Sequence, residues 1–385
     1  MKILYDYQAF YMQRFGGVSN CFVRLIENLP PDASPKIAVR ECNNIHLLES
    51  QLGCFQPALQ TEENFIIKGH FKIKRLLYDY YSHQFPEKTS LGRNLKCSID
   101  ALQRNDFNIF HPTFYDPYFM KYLHGRPFVL TVHDMISERF KLRDNMQALW
   151  KKELVRHANH VVAVSEQTKN DLMDIMGVPE HKITVIYHGV SSRGKQNKAP
   201  LIDTKYILYV GSRADYKNFM LMLEELFPVL RSHQDLSIVC TGPYFTKEEM
   251  RLFEQNGIYD RMIHISPNDE GMQNLYEHAL CFIFPSLYEG FGIPILEAWQ
   301  AGCPVLLNQT SCFPEIAQDA AIFFQLNENK SNLATTMEQF LHMGDTDLKE
   351  LIAKQSRRLE NFSWKKSAEK LYEVYERVTK DYYGN

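Results

Sequence analysis

Short apolar runs alternate with helically spaced segments twice along this chain, and that double alternation restricts the fold more than any other feature. In the first series, strand-like runs fall at 2–5, 36–40, 108–110, 128–132, 160–164 and 183–187. Between them, Val18, Phe22, Leu25, Ile26 and Leu29 take the i, i+4, i+7, i+8, i+11 spacing of one buried helix face, and further helices are expected over 144–158 and 166–176. In the second series, strands are expected at 206–210, 236–240, 261–265, 281–284, 304–308 and 321–324, again with helices between them. Such repetition builds βαβ units around a mainly parallel sheet. The polar, aperiodic segment SSRGKQNKAPLIDT at 191–204 separates the two series and reads as a linker. A chain of 385 residues is too long for one ordinary core. The expected plan is therefore an α/β protein with domains over 1–190 and 205–362 and a terminal helix over 363–385, where Ala368, Leu371, Tyr375 and Val378 keep helical spacing.

Several classes fall away at once. A net charge of −3 gives no general basis for nucleic-acid binding. The N-terminus MKILYDYQAF has no apolar core of the kind a signal peptide needs, and no stretch approaches the roughly 18 apolar residues of a membrane span. A cytoplasmic location is expected. The eight cysteines are scattered without a C-x-x-C pair, which argues against a disulfide framework or a zinc site. One local exception to the even charge distribution is residues 65–85, where Lys68, Lys72, Lys74 and Arg75 are interleaved with aromatics. That stretch suits a lipid headgroup surface or an anionic acceptor, and equally a solvated helix with an apolar inner face.

The stretch FPSLYEGFGIPILEAWQAGCPVLLN, residues 284–308, carries the clearest chemistry. A buried strand ends at Phe284, a loop holds Glu289, Gly290, Phe291 and Gly292, and a helix follows with Pro294 in its first turn and Gly302 at its end. Amides near Gly292 and Ile293 thus face out of a helix N-terminus, which favours a phosphate. Glu289 precedes the helix, and Glu297 lies about one turn into it. A second cationic turn follows the strand at 206–210, where Arg213 and Lys217 precede a helix whose buried face is Phe219, Leu223, Leu226, Phe227 and Leu230, with Asp215 expected as its N-cap. Elsewhere, Gly242 ends a strand in a close backbone approach, and Gly16-Gly17 opens a helix either as a ligand-binding turn or as a plain tight turn. In parallel sheets ligands bind beyond the carboxyl ends of strands. His111, His133-Asp134 and Ser165-Glu166 occupy such ends, and no third ligand is spaced along the sequence to complete a metal site at His133-Asp134.

The spacing from Glu289 to Glu297, with GFG and a proline between, resembles the E-x7-E signature of retaining nucleotide-sugar glycosyltransferases of glycosyltransferase family 4. The resemblance implies the GT-B arrangement: two Rossmann-like domains facing a cleft, the first for the acceptor, the second for the donor, and a C-terminal helix crossing back to the first domain. It implies that Arg213 and Lys217 bind the donor diphosphate, although Ser212 stands where many members place the arginine. It further implies that Gly16 and Gly17 close over the phosphates, that His133 in VLTVHD contacts the donor sugar, that Ser266 lies in a turn lining the nucleobase pocket, and that Glu289 binds sugar hydroxyls and Glu297 the ribose. The implied reaction moves a hexosyl unit from a nucleoside-diphosphate sugar to a hydroxyl of a glycan or lipid-linked glycan, with retention, no cofactor and no metal clamp. GSRADYKNF is similar to a subgroup associated with polysaccharide assembly and often with mannose donors. A nucleotide-sugar 2-epimerase of the same fold and a non-catalytic sugar-nucleotide-binding protein are the alternatives, and a peripheral place at the inner membrane face would follow if 65–85 meets lipid.

Overall fold

The computed structural model describes residues 1–65, 71–141, 146–191, 198–213 and 215–384. Lys68, Ala214 and part of the expected linker lie outside the described residues. The chain divides into two compact units, the first made of Met1–Val164, Thr168–His188 and Trp364–Asn385, the second of Ser165–Gln167 and Gly189–Ser363.

In the first unit β1 (Lys2–Tyr5), β2 (Ser34–Ile37) and β3 (Ile109–His111) form a parallel sheet ordered β2-β1-β3. A parallel bridge from Phe110 to Phe128 leads to a second set, β4 (Val129–Val132), β5 (His160–Ala163) and β6 (Ile183–Val185), paired in that order. The second strand sits earlier than its apolar pattern suggested. After Ala38, whose amide still donates to the Tyr5 carbonyl, the backbone leaves the sheet, and the amides of Arg40 and Glu41 both donate to Asn94 Oδ1. The helix Gly17–Glu27 packs Cys21, Phe22, Leu25 and Ile26 into the core, and the helix Trp364–Tyr383 adds Ala368, Leu371, Tyr375 and Val378 to the same cluster. Tyr375 Oη ties that helix to the sheet: it lies 2.9 Å from Tyr5 Oη and 2.5 Å from His111 Nδ1. His111 Nε2 meets Thr131 Oγ1 at 2.9 Å. His111 is thus a buried structural bridge between strands, with both ring nitrogens occupied.

The second unit holds one six-stranded parallel sheet. Its strands are β7 (Lys205–Tyr209), β8 (Leu236–Cys240), β9 (Met262–His264), β10 (Cys281–Phe284), β11 (Val305–Asn308) and β12 (Ile322–Phe324), ordered β12-β11-β10-β7-β8-β9. Counted from β7, this is the doubly wound order 3-2-1-4-5-6, and the order reverses between β7 and β10. Both strands are fully buried apart from Lys205, as a sheet covered on two faces requires. The described end of the linker is docked on this unit, with Leu201 N donating to Asn274 Oδ1 and Asn274 Nδ2 to the Ala199 carbonyl.

Candidate donor site

Beyond the carboxyl ends of β7 and β10 the chain gathers its cations, its loop carboxylate and a helix start. After β7, a single 3-10 turn, Asp215–Lys217, precedes the helix Phe219–Ser232. The N-cap of that helix is therefore Asn218 and not Asp215, as the sequence had suggested. Asn218 adopts a left-handed conformation (φ 57°) that asparagine tolerates, and its Nδ2 donates to the carbonyls of Pro285 and Leu326. Asn308 Nδ2 reaches the same two carbonyls, so two asparagines fasten the loop after β10 in place. A further bond from Leu287 N to the Tyr216 carbonyl, 2.8 Å, ties this loop to the turn after β7.

That fastening brings Lys217 and Glu289 together. Nζ lies 2.6 Å from Glu289 Oε1, and the two side chains are only 15% and 12% exposed. Glu289 is held from behind, because its amide donates to Ser311 Oγ and the Ser311 hydroxyl donates to its carbonyl. Gly290 and Phe291 are buried, and Phe291 packs edge-on against Phe362. The helix Ile293–Ala301 starts from Gly292, whose φ of 97° places it in the left-handed region and which makes no side-chain cap bond. Pro294 is in the first turn, and Gly302, also left-handed, closes the helix. Glu297 is exposed and accepts from Tyr276 Oη at 3.4 Å. The two glutamates thus differ in kind: one is a buried partner of a lysine, the other an exposed carboxylate on the helix.

Arg213 stands at the same turn and makes contacts of its own within the second unit. Its Nε and Nη2 donate to the two carboxylate oxygens of Glu249 at 2.5 and 3.2 Å, while Nη1 and Nη2 reach the carbonyls of Pro243 and Tyr244. The guanidinium also lies over Phe245 and Phe219. Through these bonds Arg213 fastens the turn after β8 to the turn after β7. Burial would raise the Glu249 pKa, but the bonds from Arg213 and the Thr246 amide outweigh it and hold the carboxyl below its ordinary value. The same turns meet at Gly242, with φ of 94°, where a Cβ would lie 2.3 Å from the Gly211 carbonyl oxygen. Past them, His264 Nε2 donates to the Gly242 carbonyl, and the exposed Tyr244 ring sits 4.9 Å from the His264 ring. Ser266 follows as an exposed residue on the same edge.

The remaining expected residues lie in the first unit. Gly16 is the extended N-cap of the helix Gly17–Glu27, and a Cβ there would collide with the Gln13 side chain, whose Oε1 caps Ser19 N. His133 follows β4. Its amide donates to Tyr115 Oη, and its Nε2 is buried without a hydrogen-bond partner. Although sequence spacing offers His133 no companions, the fold brings Cys21 and His188 beside it, with ligand atoms all within 4.8 Å of one another. Neither residue carried a signal in the sequence, since each lies in an ordinary apolar pattern. The chain also contains a D-x-D triplet, Asp345-Thr346-Asp347. It is exposed in the first turn of the helix Asp345–Leu359, where acidic residues suit the helix dipole.

Burial pushes the pKa values of His111 and His188 down to about 3, with the neighbouring His133 a lesser cause for both. A folded pKa below the unfolded value means that the unfolded chain binds more protons between about pH 3 and 6.5, so this stability is complete above pH 6.5 and is lost as pH falls. At pH 5 each buried ring is expected to withdraw roughly 2 kcal/mol. Denaturant midpoints at pH 7.5 and 5 should show the loss, and it should be smaller in His188→Gln. An equal loss in both proteins would remove His188 from the account.

The chain has the GT-B fold, and its two family matches are both to glycosyltransferases. Residues 192–359 match the family of glycosyl transferases group 1, and residues 62–193 match Glycosyltransferase Family 4. The chain is 28% identical to the O-antigen chain mannosyltransferase RfbU of Salmonella typhimurium over 213 residues, 52% of this chain and 58% of that one. It is 25% identical over 291 residues to the O-antigen chain mannosyltransferase B of Escherichia coli, covering 69% of this chain and 74% of that one. Among solved structures, Anabaena Alr3699/HepE in complex with UDP and glucose matches with a TM-score of 0.70 at 16% identity, covering 97% of this chain and 99% of that one.

Proposed function

We propose that this chain transfers a hexosyl unit, with mannose the expected sugar, from a nucleoside-diphosphate sugar to a hydroxyl of a glycan or lipid-linked glycan, with retention and without a metal at the diphosphate. The observation that carries the reading is the Lys217–Glu289 pair beside the uncapped start of the helix Ile293–Ala301, at the switch point of a doubly wound sheet. As the glycosidic bond breaks, the lysine and the helix amides meet the charge growing on the departing diphosphate. Exposed Tyr244 stacks on the base. His133 and Glu289 hold the sugar, Glu297 holds the ribose, and Gly16 and Gly17 close over the phosphates. Mannose is favoured by the names of the relatives, which are O-antigen chain mannosyltransferases.

The acceptor has a place in the first unit, where a cavity of about 1570 Å³ is lined by Tyr11, Tyr118 and Trp150 together with Asp79, Asp116 and Arg75. Aromatic faces and carboxylates in one cavity suit a glycan. Beside it the helix Phe71–Gln84 exposes Leu76, Leu77 and Tyr80, which would meet a membrane surface carrying a lipid-linked acceptor. Among the described residues no helix is long and apolar enough to cross a membrane.

Calorimetric titration with GDP-mannose, UDP-glucose and a dTDP-sugar, followed by NMR assignment of the product anomer, tests the reading. Binding and turnover of GDP-mannose with an α product support it, whereas a donor consumed with inversion would overturn the mechanism. The two glutamates give a sharper contrast. Glu297→Gln is expected to weaken the free nucleoside diphosphate, which keeps the ribose. Glu289→Gln should leave that ligand bound but depress transfer, and equal effects of both on both quantities would sink the division of roles.

A further inference from the structure

We propose that Cys21, His133 and His188 form a binding site for a zinc ion in the first unit, and that occupancy withdraws His133 from the donor and arrests transfer. The arrest rests on the function proposed above; the site does not. Three separate elements supply the ligands: Cys21 projects from the helix Gly17–Glu27, His133 follows β4, and His188 follows β6. Cys21 Sγ is 3.3 Å from His188 Nδ1, and the two imidazoles stack with centroids 6.0 Å apart. One sulfur and two imidazole nitrogens are the donor set zinc prefers, and three protein ligands leave its fourth position for water. Zinc–nitrogen bonds near 2.0–2.1 Å and a zinc–sulfur bond near 2.3 Å place tetrahedral ligand atoms roughly 3.3–3.6 Å apart. The Cys21–His188 spacing already fits, and the set, within 4.8 Å, closes with a modest turn of the His133 ring.

The most direct sign of a missing partner is His133 Nε2, a buried nitrogen with no hydrogen bond. Zinc takes neutral imidazole nitrogens and a thiolate sulfur as its ligands. Zinc binding replaces the thiol proton: a Zn–S bond forms, the S–H bond breaks, and the proton leaves to solvent, so one positive charge remains on the metal site. The plainer account is a buried thiol packed as a small hydrophobe beside two histidines. It predicts no metal affinity.

Cobalt(II) reports on such a site without involving any donor. In a Cys54→Ser, Cys97→Ser background, which removes the two thiols not buried, added cobalt should give a thiolate-to-metal charge-transfer band at one ion per chain, displaced by zinc. Cys21→Ser should abolish the band, and His188→Gln should weaken metal binding at least tenfold, with far-ultraviolet circular dichroism verifying that both fold. No band in the parent, or the same band in Cys21→Ser, overturns the site whatever the enzyme does. In the activity arm, micromolar zinc should suppress transfer at least tenfold and EDTA restore it, while Cys21→Ser transfers normally and resists zinc. A cobalt band with zinc-insensitive transfer overturns the arrest through His133 and leaves the site established.

Discussion

Lys217→Ala is expected to reduce transfer by roughly 10- to 150-fold, the equivalent of a charge-assisted contact of about 1.5–3 kcal/mol. The structure makes the result more specific than simple loss of a cation. Lys217 is already paired with Glu289, and the carboxylate is largely shielded from water. Removing the lysine therefore leaves a poorly solvated negative charge beside the place the diphosphate must occupy, and the donor meets repulsion as well as a missing partner. The double variant Lys217→Ala, Glu289→Gln should bind nucleoside diphosphate more tightly than Lys217→Ala alone, with a coupling of about 0.5–3 kcal/mol typical of contacting residues. Calorimetry on the four proteins of the cycle measures this. Unchanged diphosphate affinity and turnover in Lys217→Ala would remove the lysine from the donor site.

Arg213→Ala should act on the fold instead. Glu249 and Arg213 have side chains only 10% and 5% exposed, and the guanidinium also holds two carbonyls of the turn after β8. Deleting one member of a buried, hydrogen-bonded pair leaves the other charge uncompensated, at a cost of about 3–5 kcal/mol. Denaturant unfolding should show a lower midpoint, while the variant, under conditions where it remains folded, should bind nucleoside diphosphate within a few-fold of the parent. A protein of undiminished stability that has lost donor affinity would return Arg213 to direct phosphate contact.

Much of this architecture is legible from the sequence because it is local. The parallel strands announce themselves as apolar runs, and residues 284–308 declare a strand, a loop and a helix through proline and glycine at the positions where backbone geometry demands them. Lys217 and Glu289 were each readable as ligands, but not as partners. Their approach depends on Asn218 and Asn308 gripping the same two carbonyls, and a polar side chain seeking a distant backbone oxygen leaves no trace in spacing. The partner of Arg213 was hidden for the same reason. Glu249 reads in the sequence only as the last residue of the capping box that begins at Thr246, and nothing there reveals that its carboxylate also faces an arginine 36 residues earlier. Cys21 and His188 were hidden among core residues, where a thiol and an imidazole look like packing.

The helix Trp364–Tyr383 has a consequence for how the chain is made. The second unit is nearly continuous from Gly189 to Ser363, so its core is fully encoded before that helix leaves the ribosome. The first unit is not: Tyr375 and its neighbours complete a core begun by Tyr5 and Phe22. At synthesis rates of about 5–20 residues per second, residues 189–383 take roughly 10–40 seconds to produce, and during that interval the early apolar surface lacks its cover. A premature stop shortly before Trp364 would thus spare the later-made unit and injure the earlier-made one, exposing the nascent first unit to chaperones and proteases although every strand of its sheet is already present.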